Sequence, residues 1–476
     1  MTTSGAVPGI DLRAVAREGT VHFMGISGAG MSALAELIVR SGGTVTGCDL
    51  RPGAAAAALG GRGVPVHAGH DVAHVADAAA LVVTSAVPAQ HAEIEAARAR
   101  GIPVMKRAQA LGSIVNSGVV LALAGTHGKT TTTAATTAIL DAAGIDPTGI
   151  VGGHVQAWGG GLRAGRDEVF VVEADEYDRS FMTLTPDAAV VTNLEADHLD
   201  IYGDIAGLVE GFTAFLGQVR AGGLVALCSD DAGAAALADK APAGVTVLKY
   251  GTSEDADLRA VDVQQEGRSM TFTVVEQGSE LGRITVGAPG LHNVRNALGA
   301  FAAARHAGAT FDAARTALRS FSGVSRRFQE LGNAADVTFV DDYAHHPTEI
   351  EATLSAARGT YPGRRIVAAF QPHLYSRTRD HVDAFGKALA SADVVWVCDV
   401  YAAREQPIEG VNGELVVRAV TTAGGPSASY AATLEELSAA LRGCLSAGDV
   451  LVAMGAGDID EMTRALFAQL AGRVDS

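Results

Sequence analysis

From Thr20 onward, short apolar runs alternate with longer stretches in which apolar residues return at helical spacing. Val21-His22-Phe23-Met24, a helical pattern over 33–40 and Thr44-Val45-Thr46 together predict a βαβ unit. Residues 81–84 read as another buried strand, 92–100 as a helix and Ile102-Pro103-Val104 as a short edge strand. A second series opens at Val119, with strands expected over 168–172, 188–191, 224–227 and 245–248. Within it, 269–275 and 283–286 alternate polar and apolar residues as a β-rich insertion does. The alternation restarts after Arg326, with strands expected over 337–340, 365–370, 394–400 and 450–454. The Ala-rich run over 54–58 predicts helix rather than linker. The pattern divides the chain into three α/β domains, over 1–114, 115–325 and 326–476.

Composition narrows this picture. At about 150 residues per domain, 476 residues fit three. Apolar residues make up 48 % of the chain, yet none of their runs approaches the roughly 20 residues of a membrane span, so no membrane insertion is expected. A formal charge of −17 disfavours nucleic acid and anionic membrane as partners. Residues 1–11 carry neither a basic n-region nor an apolar h-region, which makes a cytoplasmic address the expectation. Cys48, Cys228, Cys398 and Cys444 are far apart and form no C-x-x-C, so reduced thiols rather than a zinc cage are expected.

The chemistry concentrates after the strand at Val119. There Leu123-Ala124 runs into Gly125-Thr126-His127-Gly128-Lys129-Thr130-Thr131. The glycines let backbone N–H groups point at phosphate oxygens, and the following helix adds its positive end. Lys129 would neutralise the β- and γ-phosphates and Thr130 would hold magnesium. The loop is shorter than G-x-x-x-x-G-K-[ST], because Leu123 stands where that pattern has glycine. Two acidic segments follow at strand ends, Glu173-Ala174-Asp175-Glu176 and Asn193-Leu194-Glu195-Ala196-Asp197-His198-Leu199-Asp200. Glu173 is the better oxygen ligand for one magnesium, with His198 near a second. For Asp175, Asp197 and Asp200, a loop acid or helix cap is an equal reading.

An earlier glycine loop, Gly25-Ile26-Ser27-Gly28-Ala29-Gly30-Met31-Ser32, also follows a strand and opens a helix, with Asp49 at the end of the next strand. Ser27 breaks the G-x-G-x-x-G spacing. A diphosphate on the helix N-terminus remains open, as does close helix–strand packing alone.

Three further segments are His292-Asn293-Val294-Arg295-Asn296-Ala297, Ser325-Arg326-Arg327-Phe328-Gln329 and Asp341-Asp342-Tyr343-Ala344-His345-His346-Pro347-Thr348-Glu349. With the loop at Gly125 to Thr131, they closely resemble the Mur ligases over nearly the whole chain. The resemblance implies a Rossmann-like N-terminal UDP-binding domain, a central P-loop ATPase-like α/β domain with a mixed sheet and a C-terminal Rossmann-like α/β domain. It further implies an ATP-dependent amide ligase that joins L-alanine to the lactyl carboxylate of UDP-N-acetylmuramate through an acyl phosphate, with two magnesium ions. On that basis Gly125, Thr126, His127, Gly128, Lys129, Thr130, Thr131, Asn293, Asn296, Arg327 and Asp342 are expected on ATP. Of these, Lys129 and Arg327 join Glu173 and His198 in catalysis, and Thr130, Glu173 and His198 hold the metal. Gly28, Ala29, Gly30, Met31, Ser32, Asp49, His70, Ser85 and Arg107 are expected on the UDP-sugar. Tyr343, His345, His373 and Arg377 are expected on the amino-acid side.

Three departures from the family pattern stand out. Tyr177 replaces a serine in the Glu-Ala-Asp-Glu segment's continuation, Leu374 follows His373 where some relatives have arginine, and no lysine lies between Lys129 and Lys240. No carbamylated lysine is therefore expected, and Arg377 or Arg379 would compensate at Leu374. A murein-tripeptide recycling ligase is the nearest competing activity. An ATP-gated nucleotide-sugar binding module without turnover is the competing reading of another class. A monomer or weak homodimer is expected.

Overall fold

The computed structural model describes residues 10–84, 86–403 and 405–472. Three sheets organise it. The first is wholly parallel, in the spatial order Val66–Ala68, Thr44–Asp49, Thr20–Met24, Ala78–Val83 and Val104–Lys106. Strand order reverses beside Thr20–Met24, and the loop from Gly25 leaves the carboxyl end of that strand, where α/β sheets bind ligands. The edge strand starts at Val104 rather than Ile102 because Pro103 has no N–H to give a ladder; its carbonyl instead accepts from Leu81 N. The helix after Thr20–Met24 starts at Ala29, earlier than the apolar spacing suggests, with Gly28 as its N-cap.

The second sheet has ten strands, and Val119–Ala124 lies between Ala188–Val191 and Val169–Glu173. All three are parallel and buried on both faces, as their continuous apolar runs require. Beyond Val169–Glu173 lies a hairpin, Thr148–Val155 with Gly160–Arg163, which the glycines at 149, 152 and 153 hide from a hydrophobic-pattern reading. At the other edge, Leu258–Glu266, Ser269–Glu276 and Ser279–Val286 form the β-rich insertion. The third sheet runs Gln329–Ala334, Val337–Asp342, Val450–Met454, Ile366–Phe370, Val394–Cys398 and Ala428–Ala431, antiparallel only at its first pair.

By compactness the chain divides into two units. One comprises Met1–Val261, Thr273–Ile284 and Arg295–Ser320; the other comprises Asp262–Phe272, Thr285–Val294 and Phe321–Ser476. In the second unit, apolar layers cover both faces of the third sheet. Phe370, Ile350 and Val416 are buried on one side, and Phe339, Leu437 and Leu466 on the other. No helix among the described residues is long and apolar enough to cross a membrane.

Candidate active site

Parallel register assembles the site in the first unit. Leu123 pairs with Glu173 and Ala124 with Val191, so the loop at Gly125 emerges between Glu173 and Asn193. Gly125 has φ +127°, and a Cβ there would collide with Thr192 Oγ1. Gly128 has φ +81°, and a Cβ would lie 2.6 Å from Asn296 Oδ1. Both positions therefore exclude side chains by backbone conformation and by space. Asn193 holds the loop from outside: its Oδ1 accepts from His127 N at 2.7 Å, and its backbone oxygen accepts from Thr126 N at 3.1 Å. These two contacts leave the next amides, at the first turn of helix Lys129–Ala142, as the groups without intrahelical acceptors.

That helix is rich in β-branched threonine, a weak helix former. The buried hydroxyls of Thr132, Thr133, Thr136 and Thr137 are satisfied because each donates to the carbonyl four residues back, at 2.8–2.9 Å. Thr131 is buried as well. Thr130 sends its hydroxyl to the sheet edge, donating to Glu173 Oε1 at 2.9 Å. The other Glu173 oxygen accepts from Gly152 N at 2.7 Å. A hydroxyl and a carboxylate presented side by side are hard oxygen donors that fit magnesium.

Lys129 Nζ donates to Gly125 O at 2.6 Å, to Thr126 O at 3.1 Å and to both Glu176 oxygens at 2.9 and 2.7 Å. Burial alone would depress this lysine, but Glu176, Asp175 and Glu173 outweigh it and hold the ammonium charged. Burial pushes Glu176 up to about 7 against the pull of Lys129. Sequence reading did not single out Glu176; its one signal was a carboxylate three residues beyond the strand-end Glu173. Tyr202 OH donates to the Glu176 carbonyl at 2.7 Å and fixes that segment. His198, at φ +54°, places Nε2 3.9 Å from Glu176 Oε1, with its ring edge-on to Tyr177. Asp175 accepts from Tyr177 N at 3.1 Å, a local turn contact, and Asp197 accepts from His198 N at 2.8 Å.

At the N-terminal sheet, Asp49 accepts from Ser27 N and Arg51 N, each at 3.0 Å, and so shapes the glycine loop. Arg107 lies over the helix start, where a Cβ on Gly30 would be 3.0 Å from its Nη1. Gly28, Ala29, Gly30, Asp49 and Arg107 thus share one sheet edge. Met31 is buried in the core, and Ser32 Oγ donates to Ala29 O at 3.0 Å. His70 faces Cys48 and Glu93 at 3.3 and 3.1 Å. Ser85 lies outside the described residues.

In the second unit, Asp342 pairs in register with Met454, as does Phe370, which gathers the following loops at one edge. Asp342 accepts from Phe328 N and Ala344 N, each at 2.8 Å, and burial raises its carboxyl to about 6. Arg327 donates to Glu349 Oε1 at 3.1 Å and lies 5.1 Å over the Tyr343 ring. His345 sits 2.9 Å from Tyr343 O, and its ring meets His373 edge-on at 5.8 Å. His373 Nδ1 is 3.2 Å from Arg377 Nη1. Asn293 donates to Pro289 O at 2.7 Å. Tyr343, His345, His373 and Arg377 are brought together at this edge.

In the first unit, a glycine loop that opens a helix lies beside a hydroxyl–carboxylate pair, an arrangement that suits a nucleotide phosphate and a hard cation. Three family models match in order: the Mur ligase family catalytic domain over residues 20–118, the middle domain over 123–304 and the glutamate ligase domain over 326–457. The chain belongs to the Mur ligase family. Curated relatives named UDP-N-acetylmuramate–L-alanine ligase, from Salinibacter ruber and Azoarcus sp., are 42 % and 44 % identical over 94 % and 92 % of this chain and 94 % and 96 % of their own. The solved UDP-N-acetylmuramate–alanine ligase of Thermotoga maritima superposes with a TM-score of 0.81 at 27 % identity, over 96 % of this chain and all of that one. A murein peptide ligase of Psychrobacter arcticus superposes with a TM-score of 0.70 at 27 % identity, over 95 % and 99 %.

Proposed function

We propose that this enzyme joins L-alanine to the lactyl carboxylate of UDP-N-acetylmuramate at the expense of ATP, a step of peptidoglycan precursor synthesis. The observation that carries the reading is the constellation of Lys129, Thr130 and Glu173 at one sheet edge, in a chain that matches alanine-adding relatives along nearly its full length. The lactyl carboxylate oxygen attacks the γ-phosphorus, the bond to the β-phosphate oxygen breaks, and ADP leaves. The alanine amine then attacks the acyl carbon of the acyl phosphate and gives up one proton, the C–O bond breaks, and inorganic phosphate departs with its electron pair.

Phosphoryl transfer demands charge neutralisation and alignment more than covalent help. Lys129 supplies the positive charge, and the first-turn amides of Lys129–Ala142 orient phosphate oxygens. Thr130 and Glu173 would hold magnesium, with His198 beside a second ion; bound there, magnesium would neutralise charge on the transferring phosphoryl group. Arg327, Asp342, Asn293 and Asn296 are assigned to the nucleotide, and Tyr343, His345, His373 and Arg377 to the amino acid. Gly28, Gly30, Asp49 and Arg107 are assigned to the UDP-sugar. Consumption of ATP and a nucleotide sugar gives the enzyme a cytoplasmic address.

The test is phosphate release with ATP, magnesium and UDP-N-acetylmuramate, comparing L-alanine, glycine, L-serine and L-Ala-γ-D-Glu-meso-diaminopimelate. Release that depends on L-alanine is expected. Release with the tripeptide and not with L-alanine would replace the assignment by the recycling activity, and no amino-acid-dependent release would leave a binding module.

A further inference from the structure

The N-terminal sheet carries a polar nest whose members are outside the residues assigned above to ATP, UDP-sugar and amino acid. Against the apolar layer of Met24, Val75, Leu81, Val83 and Ile94, four separate elements contribute His22, Cys48, His74 and Glu93. His22 and Cys48 are 0 % exposed and Glu93 is 1 % exposed, so a carboxyl group sits in a core layer. One donor atom from each of the four lies within 4.8 Å of the other three. His22 Nε2 is 3.4 Å from Cys48 Sγ, Cys48 Sγ is 3.7 and 3.8 Å from the Glu93 oxygens, and His74 Nδ1 is 3.0 Å from Glu93 Oε1.

We propose that His22 Nε2, Cys48 Sγ, His74 Nδ1 and a Glu93 oxygen form a closed tetrahedral site for a zinc-like divalent cation. Zn–N and Zn–O bonds of about 2.0–2.1 Å and a Zn–S bond of about 2.3 Å give tetrahedral edges of roughly 3.3–3.6 Å. The three kinds of spacing above bracket that range. Charge also balances: one thiolate and one carboxylate cancel a divalent ion, while both imidazoles stay neutral. Supporting contacts are already in place. His22 Nδ1 is 2.8 Å from Thr46 Oγ1, so the tautomer that donates there turns the lone pair of Nε2 toward the nest. The second Glu93 oxygen is 3.1 Å from His70 Nδ1, and Asp71 N donates to Oε1 at 2.9 Å. Four protein ligands leave no open position, which marks a structural rather than a catalytic ion.

Because the ligand is the thiolate, metal binding breaks the S–H bond, forms a metal–sulfur bond and releases one proton to solvent. The far-apart cysteines had argued against a zinc cage; the nest arises because the pairing of Thr20–Met24 with Thr44–Asp49 sets Cys48 beside His22, and helix Ala92–Ala99 brings Glu93 to them.

The experiment titrates cobalt(II) alone into the chelator-treated full-length protein. One equivalent should bind with a sulfur-to-cobalt charge-transfer band, release about one proton per ion, and be displaced by equimolar zinc. The band separates this site from Thr130 and Glu173, which offer only oxygen. Cys48→Ser should abolish the band and Cys228→Ser should keep it. Should Cys48→Ser fail to fold, judged by circular dichroism, His74→Gln decides, with an expected affinity loss of at least about tenfold. No band in the wild type, a band retained by folded Cys48→Ser, or wild-type affinity in His74→Gln would overturn the proposal.

Discussion

Lys129 Nζ lies 2.7 Å from Glu176 Oε2 and 2.9 Å from Oε1, so the lysine assigned to nucleotide phosphate is already held by a buried carboxylate. Phosphate must win the ammonium from Glu176. Once it does, Glu176 keeps its burial but loses its nearest counter-charge, and its carboxyl rises from about 7. Nucleotide binding at pH 8 should therefore take up protons. Calorimetric binding enthalpies should differ between buffers of different ionisation enthalpy, and Glu176→Gln should remove most of the difference. Identical wild-type enthalpies in both buffers would refute the exchange.

Thr130 and Glu173 make a separable contribution. Their oxygens touch each other at 2.9 Å, whereas Lys129 is gripped by Glu176. Thr130→Ala and Glu173→Gln should each lower kcat by about 10²–10³. Magnesium-free nucleotide affinity should change by less than a few fold, and added magnesium should partly rescue Thr130→Ala. An affinity loss as large as the kcat loss would show that these residues grip the nucleotide itself.

The loop glycines give a stability test with an internal control. Gly125→Ala meets Thr192 at a backbone φ of +127°, so it should cost at least about 1–3 kcal/mol and abolish nucleotide binding. Gly53 has φ −103° and nothing within 4 Å of a built Cβ, although it caps a helix. Gly53→Ala should cost less than about 1 kcal/mol. Denaturant melts with nucleotide titrations would show it; equal effects of the two substitutions would contradict the geometry.

What could be read from the sequence follows from which interactions are local. Ala188–Val191 and Val450–Met454 coincide with the expected strands, because continuous apolar runs bounded by polar residues have one buried solution. Thr148–Val155 was not legible, since its glycines interrupt any period and its parallel pairing with Val169–Glu173 is tertiary. At the site, Lys129, Thr130 and Glu173 were legible from a motif and a strand end. Glu176 was not, because an acid among acids carries no mark of burial until the fold places Lys129 and Tyr202 beside it. The nest at Glu93 was hidden for a similar reason: its members come from four elements and meet only across the sheet.

The second unit should show an acid limb that belongs to His345. Its side chain is 16 % exposed, and burial, reinforced by Arg377 and Arg327 against the opposing pull of Glu349, lowers it from 6.5 to about 4. Between those values the unfolded chain binds a proton that the folded chain does not, so stability falls as pH drops from 6.5 towards 4. Asp341 and Asp342, each raised to about 6 by burial, work in the opposite direction. The fold keeps their protons longer, so their contribution falls as pH rises from about 4 to 6. The wild-type profile mixes both signs, and His345→Gln removes only one of them. Going from pH 7 to pH 5 should therefore cost the wild type about 2 kcal/mol more than His345→Gln, measured by urea unfolding at both pH values. Parallel profiles for the two proteins would mean that His345 titrates alike folded and unfolded, and that its contact with Tyr343 O does not depend on the imidazole being neutral.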